Sequence, residues 1–377
     1  AASDVYKRQT VLGVAGCTAL LLIGFGIQDS ILPIVDKQSG QLTHNDLTIS
    51  LSDEKALTME QGLADTLDSS SAVHSWGAFY TKSTTLYNEE GGSADVSIVG
   101  AEDDARMTEY FTFRTRVGHD PIPFEEDSVI LTEKTALNLE LSVGDTFYVE
   151  AADGSRVQLT LTGITENYMF TRLYLSGAQL ESLLGGTPEW NTVYGLTGCT
   201  TEAEYNALRT KLLACNYVSS VSFTEDTTSM FGSLIGSLNY VVVLIIVCAA
   251  ALAAVVLYNL ISVNLAERKK ELATIKVLGF YDKEVYRYIF REIELLSLIG
   301  SGVGLLLGVP LHRFIILTVE MDQLMFIRTI APRSYLLAVA LTMLFTFVVC
   351  FAMRRHVRHI SICLLYTSPS PRDKRQS

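Results

Sequence analysis

The sequence lacks the short motifs that would indicate an enzyme. It contains no G-x-x-x-x-G-K-[ST] phosphate loop, no H-E-x-x-H zinc motif, no G-x-S-x-G nucleophile elbow and no C-x-x-C pair. Its six histidines are scattered, and its paired carboxylates occur in runs, as they do on solvated loops. We therefore predict no catalytic residue, no metal ligand and no cofactor-binding residue in this chain.

Basic residues and cysteines are also scarce. The 29 Lys and Arg are outnumbered by 41 Asp and Glu, and the net charge of −12 argues against nucleic acid as a partner. Of six cysteines, only Cys199 and Cys215 share the long polar stretch of the chain. A disulfide between them requires an oxidising compartment and suitable Cβ geometry, and sequence spacing does not decide whether it forms.

Charge is nearly absent from four long apolar runs in this chain of 377 residues, at 10–27, 238–262, 289–309 and 335–353. Each run has roughly the 17–25 residues that a helix needs to cross about 30 Å of hydrocarbon. No A-x-A-like cleavage site follows the first run, so we expect an uncleaved helix there and not a signal peptide. These runs predict an integral membrane protein with four transmembrane helices.

The basic residues predict the topology. They lie before the first run, between the second and third, and after the fourth, so these three segments are expected on the cytoplasmic side. The fold class that we predict is an α-helical membrane protein with a mixed α/β extracytoplasmic domain inserted between helices 1 and 2, in the plasma membrane. The expected ranges are a non-native end at 1–9, helix 1 at 10–28, the external domain at 29–237, helix 2 at 238–262, a cytoplasmic loop at 263–288, helix 3 at 289–309, an external loop at 310–334, helix 4 at 335–353, and a basic cytoplasmic tail with a second non-native end at 354–377.

The two ends are expected to be non-native because both contain Lys-Arg-Gln and resemble translated sequencing adapters. Inside the external domain, β-branched and aromatic segments predict strands at 47–51, 95–99, 128–132, 146–150 and 157–164. Helices are expected at 57–69, 133–139, 176–184 and 202–216. Gly144 is expected to supply a positive φ before the strand that begins at Thr146.

The first cytoplasmic loop is an amphipathic helix former that ends at a glycine of C-cap type, Gly279. Interfacial anchoring, docking to anionic lipid and docking to a cytoplasmic partner are all consistent with such a helix. Glu267 and Glu271 argue against a pure lipid anchor, because anionic lipid would repel them.

This loop resembles a known family. The stretch Ala266-Glu-Arg-Lys-Lys-Glu-Leu-Ala-Thr-Ile-Lys-Val-Leu-Gly279, followed by Arg291-Glu292 at the head of a Gly-rich helix, is similar to the hallmark of the FtsX-like permeases. These are the membrane subunits of MacB- and LolC-type ABC transporters. The external unit at 129–164 also resembles the extracytoplasmic core domain of that family.

The resemblance implies that the loop helix couples to a cytoplasmic ABC ATPase subunit, which would bind the ATP. The matched coupling residues are Glu267, Arg268, Glu271, Lys276 and Gly279. The resemblance further implies a second permease half or a homodimer, contact with membrane lipid, and cargo that is lipophilic, peptidic or a lipoprotein. A regulator of a cell-wall hydrolase and a receptor-like protein without an ATPase partner are the alternative functions.

The third apolar run carries glycines at positions 300, 304 and 308. This i, i+4, i+8 stripe lets another helix approach closely. Gly300, Gly304 and Gly308 are therefore expected to pack against either a second permease chain or one of the chain's own helices.

Overall fold

We describe a computed structural model of the chain, covering residues 2–59, 62–151, 154–267, 281–321 and 323–358. The chain forms two compact units. The first contains residues up to Ile31, Ser237–Val319 and the residues from Arg328 onward, and the second contains Leu32–Gly236 with Glu320–Ile327. The predicted fold class is confirmed, because four helices of membrane-spanning length and composition occur in the described residues and the α/β domain follows the first.

The helical unit consists of four long helices. They are α1 (Ala2–Ile31), α9 (Thr224–Glu267, which begins in the other unit), α10 (Asp282–Val319) and α11 (Pro332–Arg358). The candidate membrane spans are Lys7–Leu42, which continues past the end of α1, Asn239–Leu260 in α9, Phe290–Val319 in α10 and Pro332–Ala352 in α11. The four helices extend beyond the apolar runs because polar and amphipathic residues continue each helix past its hydrophobic part.

Helix α1 lies against the other three helices. Gly13 of α1 faces Leu260 of α9, and Gly24 faces Ile246, so α1 and α9 run antiparallel. Hydroxyl groups join α1 to α10 and α11: the Thr18 Oγ1 lies 3.4 Å from Ser301 Oγ and 3.1 Å from Thr342 Oγ1. Such interhelical hydrogen bonds satisfy polar groups that have no water to bind within a bilayer.

The α/β unit is built on a ten-stranded mixed sheet. Its strands are β1 (Leu47–Leu51), β2 (Val73–Tyr87), β3 (Ser93–Ala101), β4 (Val129–Thr132), β5 (Thr146–Glu150), β6 (Arg156–Thr160), β7 (Gly163–Thr165), β8 (Arg172–Leu175), β9 (Thr192–Thr197) and β10 (Val218–Phe223). The order is β10-β1-β9-β2-β3-β8-β4-β7, with β5 joining β2 to β6. The pairs β3–β8 and β4–β7 are parallel, and the other pairs are antiparallel.

Short helices cover the sheet. They are α2 (Ile34–Lys37), which continues into a π-helical turn at Gln38–Leu42, then α3 (Lys55–Thr58), α4 (Leu63–Asp68), α5 (Asp104–Tyr110), α6 (Glu133–Asn138), α7 (Gly177–Leu184) and α8 (Glu202–Leu213). Helix α8 begins with a capping box between Thr201 and Glu204. An aromatic cluster centred on the fully buried Phe79 packs edge-on against Tyr110 and Tyr194.

Two sequence predictions for this unit were wrong in detail. The helix expected at 57–69 is interrupted, because Met59 is extended and Gly62 lies against the Ala56 and Met59 carbonyl oxygens. The strand expected at 157–164 is two strands, because β6 pairs with β5 whereas β7 pairs with β4. The positive φ of Gly144, +99°, is confirmed.

Candidate functional site

The predicted coupling residues lie almost entirely outside the described part of the chain. Helix α9 ends at Glu267, and the next residue that the structure describes is Tyr281, directly before α10. Arg268, Glu271, Lys276 and Gly279 lie in the interval between. Their roles remain predictions.

The glycine stripe of α10 contacts α1 of the same chain. A Cβ at Gly304 would lie 2.6 Å from the Ala15 carbonyl oxygen and 2.7 Å from the Thr18 Cβ. At Gly300 and Gly308 the nearest atoms, at 2.8 and 2.9 Å, also belong to α1. Within the single chain, the stripe thus packs against one of the chain's own helices, and the contact with a second permease chain stays a prediction.

Polar residues tie the ends of the helices together on the side where α1 leaves the helical unit. Asp29 is buried and accepts hydrogen bonds from the Ala331 backbone N–H (3.0 Å), the Ser334 hydroxyl (2.5 Å) and the Arg333 guanidinium (3.1 Å). A carboxylate at this depth requires such partners, because burying it unpaired is costly. These contacts fix the start of α11 against the end of α1.

The α/β unit has a polar junction, which we define as the π-helical turn, the loop 166–170 and the segment Glu320–Ile327. Gln38 of the turn forms hydrogen bonds through both the oxygen and the nitrogen of its side-chain amide. Its Oε1 accepts from the backbone N–H of Tyr168 (2.9 Å) and Met169 (3.2 Å), and its Nε2 donates to Asn167 Oδ1 (2.8 Å) and Thr43 Oγ1 (2.9 Å). A buried glutamine with its hydrogen-bonding groups satisfied fixes the turn against the loop.

Glu166, in the loop 166–170 of the junction, has a fully buried side chain. It accepts from Arg114 Nε at 2.6 Å and from the Tyr168 hydroxyl at 2.5 Å, and His119 Nδ1 lies 3.4 Å away. Burial, and then the hydrogen bond to Glu166, raise the pKa of Tyr168, so the phenol stays protonated and donates. Arg114 also donates to Gln41 of the π-helical turn at 2.9 Å.

Two further ion pairs flank this centre. Arg116 binds Glu133 through two guanidinium nitrogens, and this pairing raises the pKa of Arg116. The next residue, Lys134, donates to Glu320 at 2.9 Å, and the side chains of the pair are 13% and 1% exposed. The other Glu320 oxygen accepts from the Phe326 backbone N–H at 2.8 Å.

The segment Glu320–Ile327 runs antiparallel to the loop 166–170. The Phe170 N–H donates to the Gln323 carbonyl (2.9 Å), and the Met325 N–H donates to the Tyr168 carbonyl (3.0 Å). Sequence reasoning treated this segment as part of an external loop and missed the pairing. The available signal was its apolar stretch Leu-Met-Phe-Ile at 324–327, three of whose residues are buried.

Other candidate chemistry is not assembled in the described ranges. Among these residues no group of three or more His, Cys, Asp or Glu is placed to hold a metal ion. Cys199 and Cys215 are both free thiols, and Cys215 Sγ lies 3.6 Å from the Thr66 hydroxyl. The main candidate functional features in the described ranges are therefore the contacts of the junction and of the helix ends, which position chain segments.

Two family models match the chain. The model of the MacB-like periplasmic core domain matches residues 10–210, more than half of the chain, and that of the FtsX-like permease C-terminal matches residues 243–362. No curated protein matches the chain.

Solved structures give distant matches. The periplasmic region of MacB from Actinobacillus actinomycetemcomitans is 12% identical, with a TM-score of 0.31 over 50% of this chain and 93% of that one. The extracellular domain of the ABC-type transporter YknZ from Gram-positive bacteria is 14% identical, with a TM-score of 0.30 over 48% and 99%. A domain of a permease protein from Porphyromonas gingivalis is 13% identical, with a TM-score of 0.28 over 48% and 90%.

Proposed function

This chain belongs to the family of FtsX-like permeases with a MacB-like periplasmic core domain, and we propose that it is the membrane subunit of an ABC transporter driven by a separate ATPase subunit. The observation that carries the proposal is that the two family models match in series, the core domain first and the permease C-terminal second. Permeases of this family work with an ABC ATPase partner in general.

We place the coupling contact in the loop at 263–288. Glu267, Arg268, Glu271 and Lys276 would bind charged groups on the ATPase, and Gly279 would let the chain turn back toward the membrane. The ATPase subunit would bind and hydrolyse the ATP. In this proposal the present chain performs no catalysis and needs no cofactor of its own.

The proposed output is movement of the external domain. Closure of the ATPase subunits would displace the loop, and the transmembrane helices would carry that displacement across the plasma membrane. Export or release of a lipophilic, peptide or lipoprotein cargo would follow at the outer surface. The working assembly would contain a second permease half or a second copy of this chain, in contact with membrane lipid.

The experiment is purification of the full chain from its source membrane, followed by measurement of bound ATPase subunit and of ATP hydrolysis. Replacing Glu267 and Arg268 together by Ala is expected to remove most of the bound ATPase, because truncating one member of a charge pair at such an interface weakens the affinity about tenfold or more. The matched control replaces Arg106 and Glu109 by Ala. These residues form an exposed ion pair of the α/β unit, outside the loop, and the net charge change is again zero.

Two results would reject the proposal. One is that no ATPase subunit accompanies the wild-type chain. The other is that the double variant at 267 and 268 retains the ATPase as well as the control does. Either result would favour a receptor-like role without an ATPase partner.

A further inference from the structure

The loop 166–170 is contacted by segments that lead to different transmembrane helices. The π-helical turn, which holds the loop through Gln38, follows α1 along the chain. The segment Glu320–Ile327 is the direct connection between α10 and α11. The transmembrane helices α1, α10 and α11 are therefore joined directly along the chain to segments that contact the same five residues, 166–170, of the external domain.

The contact to Glu320 reaches the sheet at its next-to-last strand, β4, beside the edge strand β7. Lys134 is the second residue of α6, which begins directly after β4, and β4 pairs with both β7 and β8. Because Glu320 is 1% exposed, it cannot leave Lys134 without either gaining another partner or meeting water. A buried ion pair of this kind is either formed or broken, so it favours two discrete positions of the segment Glu320–Ile327 over gradual sliding.

The backbone of the loop is strained where the segment binds it. Phe170 has a φ of +65°, a left-handed conformation that is unfavourable for a bulky aromatic residue. The conformation is held by hydrogen bonds on both sides, from the Phe170 N–H to Gln323 and from the Asn167 amide to the Phe170 carbonyl at 2.5 Å. Separation of the segment would remove the first of these bonds and allow the strain to relax.

We propose that the junction is a two-position coupling element, in which the α10–α11 connection passes nucleotide-dependent motion to the external domain through Lys134, Glu320 and the loop 166–170. In the closed position, which the structure has, the segment Glu320–Ile327 is bound to the loop 166–170 and the Lys134–Glu320 pair is formed. In the other position the segment is separated from the loop and this pair is broken. This inference rests on the proposed function and adds helices 3 and 4 to the route by which motion reaches the external domain. Lys134 and Glu320 act as positioning residues and touch neither nucleotide nor cargo.

Thermodynamic reciprocity supplies the test. If nucleotide binding on one side of the membrane shifts the equilibrium between the two positions of the junction, the two equilibria are linked. A change that shifts the junction equilibrium must then also alter the nucleotide affinity. The measurement is the affinity of the purified permease–ATPase complex, in lipid nanodiscs, for a non-hydrolysable ATP analogue. A residue with a merely structural role in the external domain would not move this affinity.

The junction can be locked as well as weakened. Met169 and Leu324 face each other in an antiparallel bridge whose flanking hydrogen bonds make it a non-hydrogen-bonded pair. Such pairs have Cα atoms about 4.5 Å apart, within the roughly 4.4–6.8 Å that a disulfide requires. Cysteines at both positions would lock the closed state on oxidation and free it on reduction, and the two single-cysteine variants control for oxidation of the native thiols.

Locking and weakening are expected to act in opposite directions. Oxidation of the double-cysteine variant should shift the analogue affinity about fivefold or more, as typical coupling energies imply, and reduction should reverse the shift. Lys134→Met and Glu320→Gln each break the ion pair, and each should shift the analogue affinity in the opposite direction. Lys55→Met, which breaks an exposed ion pair with Asp53, should change nothing.

The inference is overturned if the locked and weakened forms bind the analogue within twofold of wild type, or if both shift the affinity in the same direction. Because the oxidised and reduced forms are one folded protein, misfolding cannot account for a difference between them. Absence of any ATPase subunit from the wild-type preparation would instead overturn the proposed function, and this inference with it.

Discussion

Replacing Gly304 by Ala tests whether the helical unit depends on the close approach of α10 to α1. The added Cβ would lie 2.6 Å from the Ala15 carbonyl oxygen and 2.7 Å from the Thr18 Cβ, whereas carbon contacts are optimal at about 3.5–4.0 Å. Neither neighbour is the end of a flexible side chain, so the two helices must separate by roughly 1 Å. Overpacking of this kind costs about 1–3 kcal/mol.

Gly302 provides the matched control on the same helix. A Cβ at Gly302 meets no heavy atom within 4 Å. Both substitutions gain the same helix propensity, about 1 kcal/mol for Ala over Gly, so this contribution cancels in their comparison. We expect Gly304→Ala to be less stable than Gly302→Ala by about 1–3 kcal/mol.

The assay is reversible unfolding of the full chain in mixed micelles by titration with a denaturing detergent, followed by circular dichroism. Separation of the two helices should also weaken the hydrogen bond between Thr18 of α1 and Ser301 of α10, and an interhelical bond of this kind is worth about 0.6 kcal/mol. Equal stability of the two alanine variants would refute the packing argument. It would mean that α1 and α10 can separate to fit the added methyl group without a loss of stability.

Three predictions concern the external unit, each measured by thermal unfolding of the full chain in detergent. Glu166→Gln should cost about 3 kcal/mol, because it removes the carboxylate that neutralises the partly buried Arg114 guanidinium. Glu109→Gln, in an exposed pair, should cost less than about 1 kcal/mol, and equal losses would contradict the role of burial. Phe79→Ala should cost about 3–5 kcal/mol, since it empties the fully buried centre of the aromatic cluster, and a loss below about 1 kcal/mol would contradict that packing. Backbone N–H groups at the start of α8 lower the pKa of Glu204 below its ordinary 4.5, so its stabilising contribution is present above pH 4.5 and is lost as the pH falls through the lowered pKa. The stability difference between wild type and Glu204→Gln should therefore shrink on acidification, and a difference that grows would contradict the assignment.

Local patterns were enough to predict much of the fold. The strands β1 and β5 match their predicted ranges, because alternating β-branched and aromatic residues in short runs leave little choice of conformation. The long strand β2 was missed. Its Gly77 and its stretch of Ser, Thr and Lys residues at 81–85 weaken the apolar pattern, and pairing with β3, β5 and β9 stabilises it instead.

The junction could not be predicted from local patterns. Lys134 and Glu320 are 186 residues apart, and nothing in a single sequence indicates which distant charges pair. Gln38 likewise has a role that only tertiary structure reveals, since its partners Asn167 and Tyr168 lie about 130 residues away along the chain. The glycine stripe could be predicted in part. Its spacing predicts close helix packing but does not indicate which helix is the partner.

The central claim is that the loop at 263–288 binds an ATPase, and site-specific cross-linking tests it most directly. A photoreactive amino acid at position 276 of the full chain, in the source membrane, is expected to form a covalent adduct with a protein that contains a G-x-x-x-x-G-K-[ST] phosphate loop. The same probe at position 143, an exposed site of the external unit, should give no such adduct. Cross-links from position 276 to lipid alone would contradict the account.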